Sequence, residues 1–302
     1  ASLPTETRRT ERQMQLQQFT TALPWGWIVA QAARPEAGDI VLEPSAGTGC
    51  LAALVEAAAR LKGGAKPELI LNEIDPTRAA LLEHLTGKPV TAHDAEFIDD
   101  LLARELAPTL VVMNPPFASS LARSSDSTIA LRHLLSAAKR LCEGGRLVAI
   151  VPPSVSAERG GALWARLCEE VTPVLRLTLP RTAFARMGTS VETHLLIADK
   201  PTAKTEPLAR IREARFVVGS PSEALDLLSS RLPARQPLAK PVAPSNRLKA
   251  SAPKPRPSAQ AAISAARPKM LLPVSGSLTA RAHSSTAMVP LDVKIFDIAR
   301  SN

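Results

Sequence analysis

Short apolar runs alternate with longer stretches of helix-spaced apolar positions through residues 39–151. The runs are Asp39-Ile-Val-Leu-Glu43, Glu68-Leu-Ile-Leu-Asn-Glu73, Pro89-Val-Thr91, Thr109-Leu-Val-Val-Met113 and Arg146 to Val151. Each is too short for a helix and mostly apolar at consecutive positions, which predicts strands buried on both faces. Helical spacing fills the gaps: Leu51 to Leu61 stopped by Gly63-Gly64, a segment starting after Asp75-Pro76 and running through Leu85, Asp99 to Leu106, and Ser127 to Leu141. Upstream, residues 6–18 are polar and rich in Gln and Arg and predict a helix, and Ala22 to Ala33 has helical spacing interrupted early by Pro24. Strands alternating with helices require right-handed crossovers, so the fold class is α/β, a doubly wound and mostly parallel sheet covered on both faces. After Val171 the rhythm changes. Val174 to Leu179 and Glu192 to Ala198 predict an antiparallel hairpin at the sheet edge, joined by a turn-rich segment containing Gly188.

Composition and charge divide the 302 residues into unequal parts. Residues 201–302 hold 16 Lys and Arg against 6 Asp and Glu, while residues 1–200 are close to neutral. Residues 231–290 contain ten basic side chains, ten prolines and no acidic residue, too little apolar surface to offset chain entropy. Three regions are expected: 1–34, a helical segment; 35–200, the α/β domain; and 201–302, a basic Pro-rich linker or tail, mostly disordered. A solubilising spacer and a nucleic-acid-binding arm are equally compatible with that tail. No run of about 18 uncharged apolar residues occurs, so no membrane span is expected. The N-terminus, with Arg8, Arg9, Glu11 and Arg12 and no apolar core after them, does not resemble a signal peptide. A cytoplasmic location is expected. Cys50, Cys142 and Cys168 lack CxxC spacing, which argues against disulfides and a metal site and for reduced, partly buried thiols.

In a doubly wound sheet, ligands bind beyond the carboxyl ends of the strands. The loop after the first strand is Glu43-Pro-Ser-Ala-Gly-Thr-Gly49. Gly47 and Gly49 let the backbone turn tightly beside a ligand. The loop lacks both GxGxxG and a Lys-Ser/Thr pair, and Glu43 would repel phosphate. A ligand carrying positive charge suits it better, and S-adenosylmethionine, with its sulfonium and α-ammonium, meets that demand. Pro44 and Ala46 complete the loop. At the end of the second strand Glu73 is placed to accept the ribose hydroxyls, with Ile74 beside it, while Asp75 is expected to cap the following helix. Asp94, followed by Ala95, is placed to accept from the adenine amino group; a simple cap is the competing reading. A turn that only packs its helix on the sheet is the competing reading of the glycine loop itself.

Asn114-Pro-Pro-Phe117 follows a strand apolar enough to be central. Pro115 and Pro116 remove two backbone donors and stiffen the loop. The Asn114 side-chain oxygen and the Pro115 carbonyl can accept both N–H bonds of an amine conjugated to a ring, aiming its lone pair, and Phe117 offers a face for an extruded base. Asn114 is counted in the cofactor site as well. No strong base is needed, and the scattered His84, His93, His133, His194 and His283 are expected on the surface or in packing. Alone, Asn-Pro-Pro is also an ordinary strand-ending turn.

With both motifs present, the chain resembles the S-adenosylmethionine-dependent amino-methyltransferases. Gln17-Gln-Phe-Thr-Thr-Ala-Leu-Pro24 resembles the additional cofactor motif of DNA adenine methyltransferases that carry it N-terminally, which implies that Thr21 approaches the methionine carboxylate; Ala22 stands where that motif has proline. More narrowly, Arg12 to Phe19, Leu71-Asn-Glu73, Asp94-Ala-Glu96, Val112 to Phe117 and Gly188 to His194 resemble the methyltransferase region that precedes the helicase of bacterial strawberry notch-like proteins. The resemblance covers roughly residues 8–200. It implies a Rossmann-like methyltransferase sheet, transfer of a methyl group to adenine N6 in DNA, a DNA partner, a helicase domain or subunit, and a bacterial or mobile-element origin. RNA guanine N2, a protein glutamine amide, and a non-catalytic cofactor- and DNA-binding module serving a helicase are the alternatives. Val289 to Ala299 is then expected to begin a further element.

Overall fold

The computed structural model describes residues 21–117, 126–187, 191–202 and 213–238. The expectations for residues 6–18, Gln17 to Thr20, Gly188, residues 239–290 and Val289 to Ala299 lie outside these residues. The helix α1, Leu23–Ala33, carries Pro24 in its first turn, where a missing N–H costs nothing, so proline opens this helix instead of interrupting it. Then follow β1 (Ile40–Glu43), α2 (Cys50–Leu61), β2 (Glu68–Asn72), α3 (Pro76–Thr86), β3 (Val90–Thr91), α4 (Ile98–Leu101), β4 (Leu110–Met113), α5 (Ile129–Arg140), β5 (Arg146–Val151), α6 (Ala157–Glu170), β6 (Thr172–Leu179), β7 (Thr193–Asp199), β8 (Ala214–Val217) and α7 (Pro221–Arg231).

The eight strands form one sheet in the order β3-β2-β1-β4-β5-β7-β6-β8. Every pairing is parallel except those of β7, which runs against both β5 and β6. β1, β4 and β5 are buried at every position, which explains their unbroken apolar runs. Alternate residues feed two cores. Val41, Leu110, Val112, Val148 and Ile150 pack on one face with α1, α2 and α7. Ile40, Leu42, Val111, Met113, Leu147 and Ala149 pack on the other with α4, α5 and α6.

Four features differ from the sequence expectations. The β6–β7 pair is antiparallel but does not form the edge, because β7 lies between β5 and β6 and β8 continues the sheet beyond β6. The helix expected over Asp99 to Leu106 is a 3₁₀ turn, Ala95–Phe97, followed by the single turn α4; Leu102 is already extended (φ −74°, ψ 136°) and buried. α6 was hidden by Gly160-Gly161, since Gly161 (φ 52°, ψ −132°) breaks the helical path while Trp164 and Leu167 bury its apolar side. Finally, residues 213–238 fall within the span expected to be tail, yet they supply β8, α7 and a packed strap.

That strap, residues 232–238, is held at the amino ends of the strands by buried charge. Arg235 makes a bidentate pair with Asp39 at 2.6 and 2.8 Å, just ahead of β1. Arg146, fully buried at the start of β5, forks onto Asp199 at 2.7 and 2.9 Å. These two residues face each other in the β5–β7 register. The Arg146 guanidinium also donates to Ala32 O and Pro233 O, tying α1, the sheet and the strap to one group. Removing one partner strands the other charge in the core, a loss of about 3–5 kcal/mol. Asp199→Ala is therefore expected to lower unfolding stability by that amount in urea titrations, and Arg146→Met combined with Asp199→Leu to recover most of it. A single-variant loss under about 1 kcal/mol would contradict the assignment.

Candidate active site

The loops after β1, β2, β3 and β4 leave the carboxyl edge of the sheet side by side, because those strands are neighbours. Glu43 ends β1 and is 2% exposed. Its carboxylate accepts from Ala52 N at 3.0 Å, capping α2, whose N-cap Gly49 has no side chain to do so. Burial pushes the Glu43 carboxyl well above its ordinary range, and the neighbouring Glu73 pushes it the same way; the Ala52 bond and the Arg78 charge pull it back in part. An acid raised in this way holds its proton longer in the folded than in the unfolded chain. Its ionisation therefore costs stability as pH rises through the window above 4.5.

Gly47 and Gly49 both have positive φ, 58° and 82°, which is why the loop needs glycine there. A Cβ on Gly49 would come within 2.5 Å of Leu82 Cδ1, and one on Gly47 within 2.5 Å of the Arg78 guanidinium. The absence of a side chain at Gly49 thus lets Leu82 of α3 lie close to the start of α2. At Gly47 the same absence places a cation over the loop. Gly47 N donates to Glu73 Oε2 at 2.7 Å, and Asp75 N donates to Glu73 Oε1 at 2.9 Å. Each oxygen expected to meet a ribose hydroxyl thus already accepts one backbone N–H and keeps lone-pair capacity for a second donor. Ile74, next in the chain, is 48% exposed, an apolar side chain left open beside a buried carboxylate. Pro44 and Ala46 are buried. Asp75 caps α3, accepting from Thr77 N and Arg78 N.

Asp94 is exposed and accepts from Glu96 N at 3.0 Å. Its contact in the structure is that of a cap, and Ala95 behind it is buried. His93, expected at the surface, is half-buried, with its backbone engaged by Asn72. Asn114 follows β4 and is half-buried, Pro115 is buried, and Pro116 and Phe117 are half-buried; Phe117 packs against the core on the α1 side. Asn114 Nδ2 donates to Thr21 Oγ1 at 3.1 Å. The structure therefore joins the residue ahead of α1 to the residue after β4, 93 positions apart.

Sequence reasoning missed the part played by Asn72. Its Nδ2 donates to Pro44 O at 2.8 Å and His93 O at 2.9 Å, and its Oδ1 accepts from His93 N at 2.8 Å and from the Thr91 hydroxyl at 2.8 Å. One carboxamide fastens the loops after β1 and β3 to the end of β2. The available signal was an amide closing an otherwise apolar run. Among the described residues the three cysteines are free, and burial raises the Cys50 thiol to about 12. No group of three or more potential metal ligands occurs there, and no helix there is long and apolar enough to cross a membrane.

Neither a protein-family model nor a curated protein sequence matches the chain. Solved structures do. A Listeria monocytogenes protein described as a class I S-adenosylmethionine-dependent methyltransferase aligns at 18% identity and a TM-score of 0.56, over 71% of this chain and 72% of that one. The methyltransferase subunit of a type I restriction-modification system from Streptococcus thermophilus aligns at 17% identity and 0.54, over 72% of this chain. A protein from Vibrio vulnificus described as a type I restriction enzyme modification subunit aligns at 19% and 0.54. The chain spans 54% of the length of each of these two subunits. The fold is thus the Rossmann-like sheet of class I methyltransferases.

Asn72→Ala would leave the buried Pro44 carbonyl unpaired, at about 1–3 kcal/mol, and would free the half-buried His93 carbonyl and N–H to water. The expected outcome is a loss of about 1–3 kcal/mol in chemical unfolding, with faster hydrogen exchange at the His93 amide. Unchanged exchange there would show that the loop is held by other means.

Proposed function

We propose that the chain binds S-adenosylmethionine and transfers a methyl group to an exocyclic amino nitrogen, with adenine N6 in DNA as the target. The observation that carries the reading is the adjacency of β1 and β4, which sets the acidic glycine loop beside Asn114-Pro-Pro-Phe117. The fit to the cofactor rests on charge and shape. Two carboxylates, Glu43 and Glu73, are buried together, an arrangement hostile to phosphate and suited to a ligand bearing positive charge and hydroxyl donors. Glu43 would favour the cationic amino-acid end, Glu73 the ribose, Gly47 and Gly49 the close backbone approach, and Ile74 and Ala95 the flanks of the ring. Asp94, released from its cap, would accept from the adenine amino group. When bound, the cofactor supplies an electrophilic methyl group.

The residues of this chain position the acceptor. The Asn114 side-chain oxygen and the Pro115 carbonyl would take the two N–H bonds of the amine and turn its lone pair outward. Positioning of this kind supplies much of the barrier reduction where little proton transfer is needed. Phe117 would stack the base, worth about 1–3 kcal/mol. The likeness to restriction-modification methyltransferase subunits and the motif ahead of α1 support DNA. The resemblance to strawberry notch-like proteins supports a helicase region or subunit as partner and a cytoplasmic setting, with the basic segment beyond residue 238 as linker or nucleic-acid arm.

The test is mass spectrometry of nucleosides from DNA and RNA, and of glutamine in protein, after incubation with labelled cofactor. N6-methyladenine in DNA is expected. N2-methylguanine or methylglutamine would move the target, and cofactor binding without any transfer would leave a binding module. Gly47→Asp, strained at positive φ and filling the space through which the adenosyl group would approach, is expected to abolish cofactor binding in calorimetry. Asn114→Ala is expected to retain binding within about threefold and lose transfer at least about 100-fold. Equal loss of affinity in both variants would overturn the division of roles.

Glu43 adds a pH signature. A cation beside it lowers its raised pKa, so binding releases a proton wherever pH lies between the bound and free values, and affinity strengthens as pH rises through that window. Calorimetry in buffers of different ionisation enthalpy should show this release in the parent protein and its absence in Glu43→Gln. Enthalpies independent of buffer at every pH above 4.5 at which the protein stays folded would remove Glu43 from the cofactor's charge contacts.

A further inference from the structure

We infer that Thr21 is the positioning residue that sets the orientation of the Asn114 carboxamide; this deepens the proposed function and rests on it. A carboxamide is a rigid plane with unlike ends, a donor NH2 and an acceptor oxygen. Rotated by half a turn, Asn114 would present N–H groups to the acceptor amine where it must present an oxygen. Something has to distinguish the two orientations, and the two prolines that follow cannot, because they constrain backbone and not the side-chain torsion.

The Thr21 hydroxyl does so once its own proton is committed to an anionic ligand group, because an oxygen left only to accept can pair with the NH2 end of the amide and not with its oxygen end. The hydroxyl oxygen accepts from Asn114 Nδ2 at 3.1 Å, and fixing the nitrogen end fixes the oxygen end with it. Thr21 is itself held. It is 8% exposed, it directly precedes the Ala22 N-cap of α1, and its carbonyl accepts from Cys50 Sγ at 3.8 Å at the start of α2. The Ala22 carbonyl accepts from Trp25 N and Gly26 N at 3.0 and 2.9 Å, anchoring the residue after Thr21 to the first turn of α1. The methyl group lies against that turn, since a Cβ on Gly26 would sit 3.5 Å from Thr21 Cγ2. With methyl and backbone both placed, the hydroxyl has a defined direction. It accepts from Asn114 and keeps its own proton for a different acceptor, so one residue can serve the amide and an anionic ligand group together. A role confined to the cofactor carboxylate would not require the contact with Asn114.

Thr21→Val keeps the shape and methyl and removes the hydroxyl; Thr21→Ser keeps the hydroxyl. Three readouts are taken on each and on the parent: cofactor affinity by calorimetry, the rate of methyl transfer to DNA at saturating cofactor, and the side-chain 15N–1H resonances of Asn114 in asparagine-labelled protein, assigned by Asn114→Ala. In Thr21→Val the maximal rate at saturating cofactor is expected to fall about tenfold, beyond any loss of affinity from the missing bond to the cofactor, and the Asn114 amide resonances to shift or broaden. Thr21→Ser is expected to restore all three. A variant with weakened affinity but full maximal rate, or with unchanged Asn114 resonances, would overturn the inference. If the parent transfers no methyl group, the proposed function fails on its own, and the resonances still decide: movement in Val with recovery in Ser supports the orienting bond, and no movement refutes it.

Discussion

The carboxyl edge of the sheet depends on one side chain, the carboxamide of Asn72. It sits where β2 ends, and its four hydrogen bonds reach Pro44, Thr91 and His93. Each partner belongs to a strand end or a loop that could not satisfy its polar groups by sheet pairing alone, since parallel strands stop there. A buried unpaired carbonyl costs more than a made bond contributes. The loops after β1 and β3 are thereby drawn to one place. Glu73 extends the arrangement by one residue, fixing Gly47 through its amide. The position of the glycine loop therefore follows from the end of a neighbouring strand as much as from its own glycines.

Charge is distributed so that the two edges of the same sheet differ in kind. At the amino edge, Arg146 with Asp199 and Arg235 with Asp39 are closed bidentate pairs. At the carboxyl edge Glu43 and Glu73 share a buried space, and the effect of Arg78 on Glu43 ranks below both burial and the repulsion from Glu73. Closed pairs fix register and exit geometry and leave little for a ligand to change. Two carboxylates without a full complement of positive charge do the opposite, because a cationic ligand relieves them. This is the physical reason to look for chemistry at one edge only.

The sequence foretold those elements whose burial leaves an unambiguous mark. β1, β4 and β5 are buried on both faces, so a run of consecutive apolar residues marks them to within a residue or two. The motif loops were legible for the same reason, being anchored to the ends of those strands. β8 was not, because its four residues alternate between half-buried and exposed and contain Arg215, a pattern indistinguishable from loop. α7 carried a signal that was passed over: Ser220 Oγ accepts from Glu223 N while Glu223 reaches back to Gly219 N, close to a capping box. The strap was illegible in principle. Pro233, Arg235 and Pro237 look like the basic Pro-rich stretch that follows them, and only the distant Asp39 makes Arg235 structural. The same limit applies to the site: Thr21 with Asn114, and Asn72 with Pro44 and His93, are pairings between segments, which no local pattern encodes.

The strap also bears on how the carboxyl edge can adapt. Loops held by a few side-chain bonds are the parts most easily rearranged by a ligand, and Glu73, with both oxygens on backbone amides, would have to share them with any further donor. Such sharing requires that the strands beneath do not shift. β1 is clamped at its amino end, where Asp39 takes Arg235 and the Thr109 hydroxyl. Thr109 in turn accepts from Ile40 N, locking β1 to the chain entering β4. These are the two strands that present Glu43 and Asn114. Their mutual register is thus set at the end remote from the glycine loop, and the separation between that loop and Asn114 is inherited from that buried clamp.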